Sequence, residues 1–253
     1  MLEGLLTLPV IVPVLFWAAY HYHKDRHLPE PVGNLALAFA LGIAASYLSM
    51  GLYMSLDWLN LRYDALLLAD TDPIGLLAYA VLAIGPIEEL SKLLPFVLIV
   101  LRLKAFDEPM DGITYASFIA LGYAAAENVN YLEFLTPFEA AARGFAGPVV
   151  HILFASIWGY WIGCAHLAGG SILRCGLEGF AIAAVLHGLY DFAVLLNPAW
   201  SLPVAASGIL VLWIWRLKLM RVLHRNAVAA TNRASDRESR DAGEEDASRD
   251  RKD

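Results

Sequence analysis

Runs of apolar residues, broken by short polar stretches, dominate the first 225 positions of the chain. Seven runs, at 5–20, 32–56, 75–101, 112–132, 148–168, 176–196 and 202–219, approach or exceed the roughly 20 residues that an α-helix needs to cross a bilayer. Loop signals separate them: Leu28-Pro29-Glu30-Pro31, Asp72-Pro73, Glu108-Pro109, Gly147-Pro148 and Asn197-Pro198. Asp72 and Asp111 stand where helix N-caps belong. The pattern predicts an all-α, polytopic membrane helix bundle of about seven transmembrane helices. The N-terminus has no basic residues before its apolar run, so a retained first helix is expected.

Composition supports the bundle. Hydrophobic residues make up 58% of the 253 positions and charged residues 17%, too few to coat a soluble domain of this size. From Asn226 the pattern changes to Arg, Asp, Glu, Ser and Ala without apolar periodicity. The expected division is a transmembrane helical domain at 1–225 and a disordered, charged cytoplasmic tail at 226–253. The net charge of −7 says little about partners, because much of it sits in loops and the tail; with no basic face and with arginines clustered at span ends, no nucleic-acid binding is expected. Cys164 and Cys175 lack metal-type spacing and read as packing residues.

Alternate loops differ in charge. One set holds Lys24, Arg26, Arg102, Lys104, Arg174, Arg216, Lys218, Arg221 and Arg225; the other holds Arg62 and Arg143. The basic set is expected in the cytoplasm, with the N-terminus out and the C-terminus in.

Ionisable residues interrupt four consecutive apolar segments. The third carries Glu88, Glu89 and Lys92; the fourth Glu127 and Asn128; the fifth His151; the sixth His187 and Asp191. A lone charge at the centre of a membrane helix costs roughly 2.5–3.5 kcal/mol. Unpaired, the set would cost on the order of 10–20 kcal/mol, so the bundle must gather it around one polar cavity. Glu88 and Lys92, four apart, can pair on one helix face. A structural ion pair accounts for those two and leaves Glu89 unexplained. Pro86 removes a backbone hydrogen bond beside the acids and predicts a kink or unwound turn. His187 and Asp191 also share a face, where the aspartate can orient the imidazole or both can bind a metal. Counted from the outer ends of the apolar runs, His151 and Glu127 are the shallowest, which places the cavity in the outer half of the bilayer.

Other conspicuous residues have simpler expectations. His21, His23 and His27 read as interfacial, and Trp58, Trp200, Trp213 and Trp215 as an aromatic belt. Gly33, Gly42 and Gly51 read as helix-packing residues, and His166 lies far from the cluster.

Together, Glu88-Glu89-x-x-Lys92, Tyr123-x-x-x-Glu127-Asn128 and His187-x-x-x-Asp191 resemble the three signature motifs of the PrsW family of bacterial membrane proteases. The stretches around Pro29-Glu30-Pro31 and Glu108-Pro109-Met110-Asp111-Gly112 are similar too, and the resemblance runs from about residue 20 to 196. It departs at Tyr123, where the family usually has phenylalanine. The broader group includes the CAAX prenyl endopeptidases and bacteriocin-immunity membrane proteins. The resemblance implies an intramembrane endopeptidase of a bacterial-type inner membrane, acting on a membrane-anchored, anti-sigma-factor-like protein. The seventh segment and the tail lie outside it.

Two hydrolytic chemistries suit these residues. In the favoured, metal-free one, Glu88 or Glu89 is a general base, His187 oriented by Asp191 serves the oxyanion or leaving amine, and Lys92, Glu127, Asn128 and His151 complete the site. In the other, zinc is held by His151, His187 and either Asp191 or Glu127. A proton-coupled transporter or an immunity-type binding protein is the reading from a different class.

Overall fold

The computed structural model describes residues 2–24, 29–196 and 203–225. The elements in order are α1 (Leu2–Lys24), α2 (Val32–Trp58), α3 (Ala65–Thr71), α4 (Pro73–Tyr79), a π-helical turn (Ala80–Ile84), α5 (Gly85–Leu98), a 3-10 turn (Val100–Arg102), α6 (Pro109–Tyr131), α7 (Pro137–Leu167), α8 (Ile172–Leu196) and α9 (Pro203–Arg225). Every regular element among the described residues is helical, as the apolar pattern predicts. Four of them, α2, α7, α8 and α9, are long and apolar enough to cross a membrane. The bundle is therefore as expected, while the count of seven spans is not established. The Asn197-Pro198 loop, Trp200, Arg26, His27 and the tail at 226–253 lie outside the described residues.

Local chemistry explains several boundaries. Asp72 caps α4 by accepting from the Gly75 N–H, as expected, and Asp64 caps the short α3 by accepting from Leu66 and Leu67. Asp111 is not an N-cap. Glu108 occupies that position, and Asp111, three residues on, accepts from the N–H groups of Asp107 and Glu108. The fifth apolar segment was drawn from Pro148, yet α7 begins at Pro137 behind a Thr136–Glu139 capping box. Proline inside the helix was thus misread as its start, and His151 lies deep within α7 instead of near its end.

The centre of the bundle is α6, whose residues 110–125 are all buried. A helix enclosed on every side needs small residues where its neighbours cross. A Cβ on Gly122 would lie 2.0 Å from the Phe39 carbonyl oxygen of α2, and one on Gly42 the same distance from that of Ile119 on α6. Gly42 therefore packs as expected, whereas Gly33 and Gly51 face open space.

Arg216 pins α9 to this core. It was expected in a basic loop, but it is fully buried and donates to Ser156 of α7 and Ser117 of α6, with His21 Nδ1 of α1 3.2 Å from its Nη2. His21 is accordingly a buried residue and not an interfacial one. Among the described residues its hydrogen-bond partners are two hydroxyls and an imidazole, with no carboxylate.

The opening expected at Pro86 is present one turn earlier, as the π-helical turn Ala80–Ile84. There α5 and α8 approach backbone to backbone. A Cβ on Gly85 would stand 2.2 Å from the Ala184 carbonyl oxygen, and one on Gly188 2.3 Å from that of Ala80. This contact brings the acids of α5 against His187. Gly188→Ala is therefore expected to destabilise the fold by about 1–3 kcal/mol and to displace His187, whereas Gly33→Ala stays within about 1 kcal/mol of wild type. Thermal unfolding of both variants in one detergent checks this; equal midpoints would remove the close crossing from the account.

Candidate active site

The innermost group is Glu89, fully buried on α5. Lys92 Nζ donates to its Oε1 at 2.5 Å, His187 Nδ1 lies 2.8 Å from the same oxygen, and Trp158 Nε1 donates to Oε2 at 2.8 Å. An ionised carboxylate only accepts, so His187 Nδ1 carries a proton and Nε2 is turned away. Three donors from three helices offset the desolvation of one charge. The pairing expected between Glu88 and Lys92 is replaced by Glu89 with Lys92, three residues apart. The role of orienting His187, expected of Asp191, also falls to Glu89.

Glu88 projects differently, about 100° around the helix. Its Oε1 accepts from the Tyr53 hydroxyl of α2 at 3.3 Å. Its Oε2 is buried without a partner, 3.6 Å from His187 Nε2 and 3.9 Å from His151 Nδ1. Asp191 Oδ2, also buried and unpartnered, is 3.7 Å from His187 Nε2.

His151 is held from two sides. Glu127 Oε2 lies 2.8 Å from Nε2, and Lys92 Nζ lies 3.2 Å from Nδ1. Arg143, at the start of α7, donates to Glu127 Oε1 at 2.7 Å. The Tyr123 ring lies beneath Lys92 Nζ at 4.9 Å, and its hydroxyl donates to Ser49 Oγ at 2.9 Å. The added hydroxyl thus anchors the ring to α2 while the aromatic face keeps its packing role.

Exposure grades across the cluster. The side chains of Glu89 and Lys92 are 0% exposed, Glu88 11%, Glu127 19% and Asp191 21%. Access is therefore from the edge formed by Glu127, Asp191 and Arg143, where α6 ends and α7 begins. Seven of the eight residues singled out in the sequence converge here. Asn128 stands aside, buried against Gly147 of α7 with its Nδ2 unpartnered.

Three participants escaped the sequence reading. Trp158 sits mid-helix, away from any aromatic belt, and that position was its only signal. Arg143 was placed in a loop because α7 was started too late. Tyr53 carries no distinguishing pattern.

Glu88, His151 and His187 each offer a donor atom within 4.8 Å of one another. Two imidazoles and a carboxylate are a zinc-type donor set, and the orphaned Glu88 Oε2 is an atom that a cation would satisfy, so the residues fit such an ion.

A helical membrane protein that gathers four carboxylates, two imidazoles and an ammonium inside its bundle belongs to the class with a polar functional centre within the membrane. Residues 30–217 match the family described as PrsW family intramembrane metalloprotease, and the chain belongs to that family: it is an intramembrane protease and an integral membrane protein. The match extends into α9, beyond the end of the resemblance drawn at 196. The chain is similar to Protease PrsW of Clostridioides difficile (strain 630), 28% identical over 215 residues, covering 82% of this chain and 87% of that one. It is likewise similar to the proteins of the same name from Geobacillus kaustophilus (strain HTA426), at 28% over 84% of this chain and 88% of that one, and Bacillus subtilis (strain 168), at 27% over 75% and 83%. No solved structure matches the chain.

The two ion pairs differ in what they hold. Lys92→Met leaves Glu89 short of its cation in a sealed environment and is expected to cost about 3–5 kcal/mol. Arg143→Met removes a partner at the accessible edge and should cost about 1 kcal/mol or less. Denaturant unfolding in micelles measures both; a larger loss for Arg143→Met would invert this ranking.

Proposed function

We propose that the chain cleaves a membrane-anchored, anti-sigma-factor-like protein, and that Glu88 is the carboxylate that meets the reacting water. One observation carries the choice of glutamate: Glu88 Oε2 is unpartnered and faces two imidazoles, whereas both oxygens of Glu89 are occupied. In this reading Glu88 takes a proton as the water oxygen bonds to the scissile carbonyl carbon. The proton passes through His187 Nε2 to the amine nitrogen as the C–N bond breaks. Glu89 positions His187 and stabilises the imidazolium that forms transiently. His151, held between Glu127 and Lys92, completes the polar wall of the site, and Arg143 at the accessible edge receives the substrate backbone. Asp191 tunes His187 from the accessible side.

A second reading has its own observation. Glu88, His151 and His187 are close enough to hold one zinc ion, and the matched family is described as a metalloprotease. Such an ion would polarise the scissile carbonyl and supply a nucleophilic water near neutral pH. The residues described above would then bind the ion and hold the substrate around it.

Glu88→Gln is expected to abolish cleavage of a membrane-anchored substrate in reconstituted lipid while leaving the unfolding midpoint near wild type. Full activity would remove Glu88 from the mechanism. Elemental analysis of the same preparations separates the chemistries. One zinc per active chain, lost together with activity on chelation and restored by added zinc, establishes the second; activity that survives chelation with no bound metal establishes the first.

We place the N-terminus outside and the C-terminus inside, because the basic loops gather at one end. The accessible edge at Glu127 and Arg143 lies at the opposite end, so the cut should fall toward the outer side of the substrate helix. Mass spectrometry of the product termini checks this, and a cut on the cytoplasmic side would reverse the orientation.

A further inference from the structure

At the end of the bundle away from the protease site, α1, the first turn of α6 and α9 leave a cavity of about 680 Å³, within the usual roughly 300–1,000 Å³ of ligand sites. Its walls are mainly apolar, with Phe16 and Ala19 of α1, Met110 of α6 and Leu217 of α9, and His23 and His224 line it as well. Lys24 and Arg221, both exposed, stand at its rim, each at the last turns of its helix. No carboxylate lines it among the described residues. Behind the wall, Arg216 adds a buried guanidinium whose described partners are two hydroxyls and an imidazole, and its Nη1 has no partner.

Isolated basic residues at helix ends ordinarily snorkel to the interface and need no ligand. Here two of them frame a recess between three helices, with mainly apolar walls and a buried guanidinium behind. That polarity is that of an amphiphile: an anionic head at the rim and hydrocarbon along the walls.

We propose that this cavity binds an anionic glycerophospholipid, with its phosphate between Lys24 and Arg221 and an acyl chain along Phe16, Ala19 and Leu217. The site is independent of the hydrolytic chemistry. Holding α1 to α9, the lipid would brace two helices that also meet through Trp17, Tyr20 and Trp213 and through Arg216 with His21.

The test is native mass spectrometry of the full chain, delipidated in mild detergent and titrated with phosphatidylglycerol or phosphatidylcholine. Wild type should bind the anionic lipid about ten-fold or more above the zwitterionic one, and Lys24→Gln with Arg221→Gln should erase that preference. Ala19→Trp, which fills the apolar wall and leaves every charge in place, should weaken phosphatidylglycerol binding by a similar factor. Unfolding midpoints in phosphatidylcholine alone should match wild type for both variants, since all three positions are exposed. The proposal is overturned if the charge variant keeps its preference or if the two lipids bind wild type alike. Retention unaffected by Ala19→Trp would reduce the site to general surface charge. Displacement of bound lipid by inorganic phosphate alone would make a free anion the ligand, and that too overturns it.

Discussion

A carboxylate taken wholly out of water must be surrounded by donors, and Glu89 meets that requirement with three helices at once. Its own α5 provides Lys92, α7 provides Trp158 and α8 provides His187. The desolvation penalty of the ion is several kcal/mol, and removal of any partner exposes part of it. The pairwise packing of α5, α7 and α8 is thereby coupled to one charge. The geometry that seals Glu89 also aims His187 Nε2 at Glu88, so the neutralisation of one acid and the placing of an imidazole beside the other come from the same contacts.

The adjacency of the two glutamates follows from this division of labour. Consecutive residues on a helix diverge by about 100°, which sends one acid into the packed interface and the other toward the cavity. The structural partner is saturated, and the other keeps an oxygen unpartnered. Neither role can be exchanged without rotating α5, and the Gly85–Gly188 crossing opposes rotation because backbone meets backbone there.

Much of this was legible in the chain. The cost of charges in apolar segments predicts that Glu88, Glu89, Lys92, Glu127, His151, His187 and Asp191 gather, and they do. Helix spacing alone misassigned their partners. Position i to i+4 allows Glu88 with Lys92 and His187 with Asp191, but Lys92 takes Glu89 at i−3 on the same helix, and His187 takes Glu89 from another helix at 2.8 Å. Boundaries failed where a residue has two meanings. Pro148 lies inside α7 and was read as its start, which hid Arg143; Arg216 was counted as a loop charge because arginine usually flags a span end. Tyr53 and Trp158 could not be placed, since a single sequence does not show which face of α2 or α7 looks inward.

The π-helical turn Ala80–Ile84 has a consequence for how the third segment works as a mechanical part. Five residues occupy a length of helix that normally takes four, so everything after the turn is rotated by about 100° relative to an uninterrupted helix. The bulge acts as a phase shifter between two halves of one rod. The α4 half can keep the face fixed by its Asp72 cap, while the α5 half presents its acids to α7 and α8. Such a joint is discrete: it inserts one residue's worth of turn or none. The orientation of the glutamates is thus set by a count of residues in the backbone, which thermal motion of side chains cannot gradually erode.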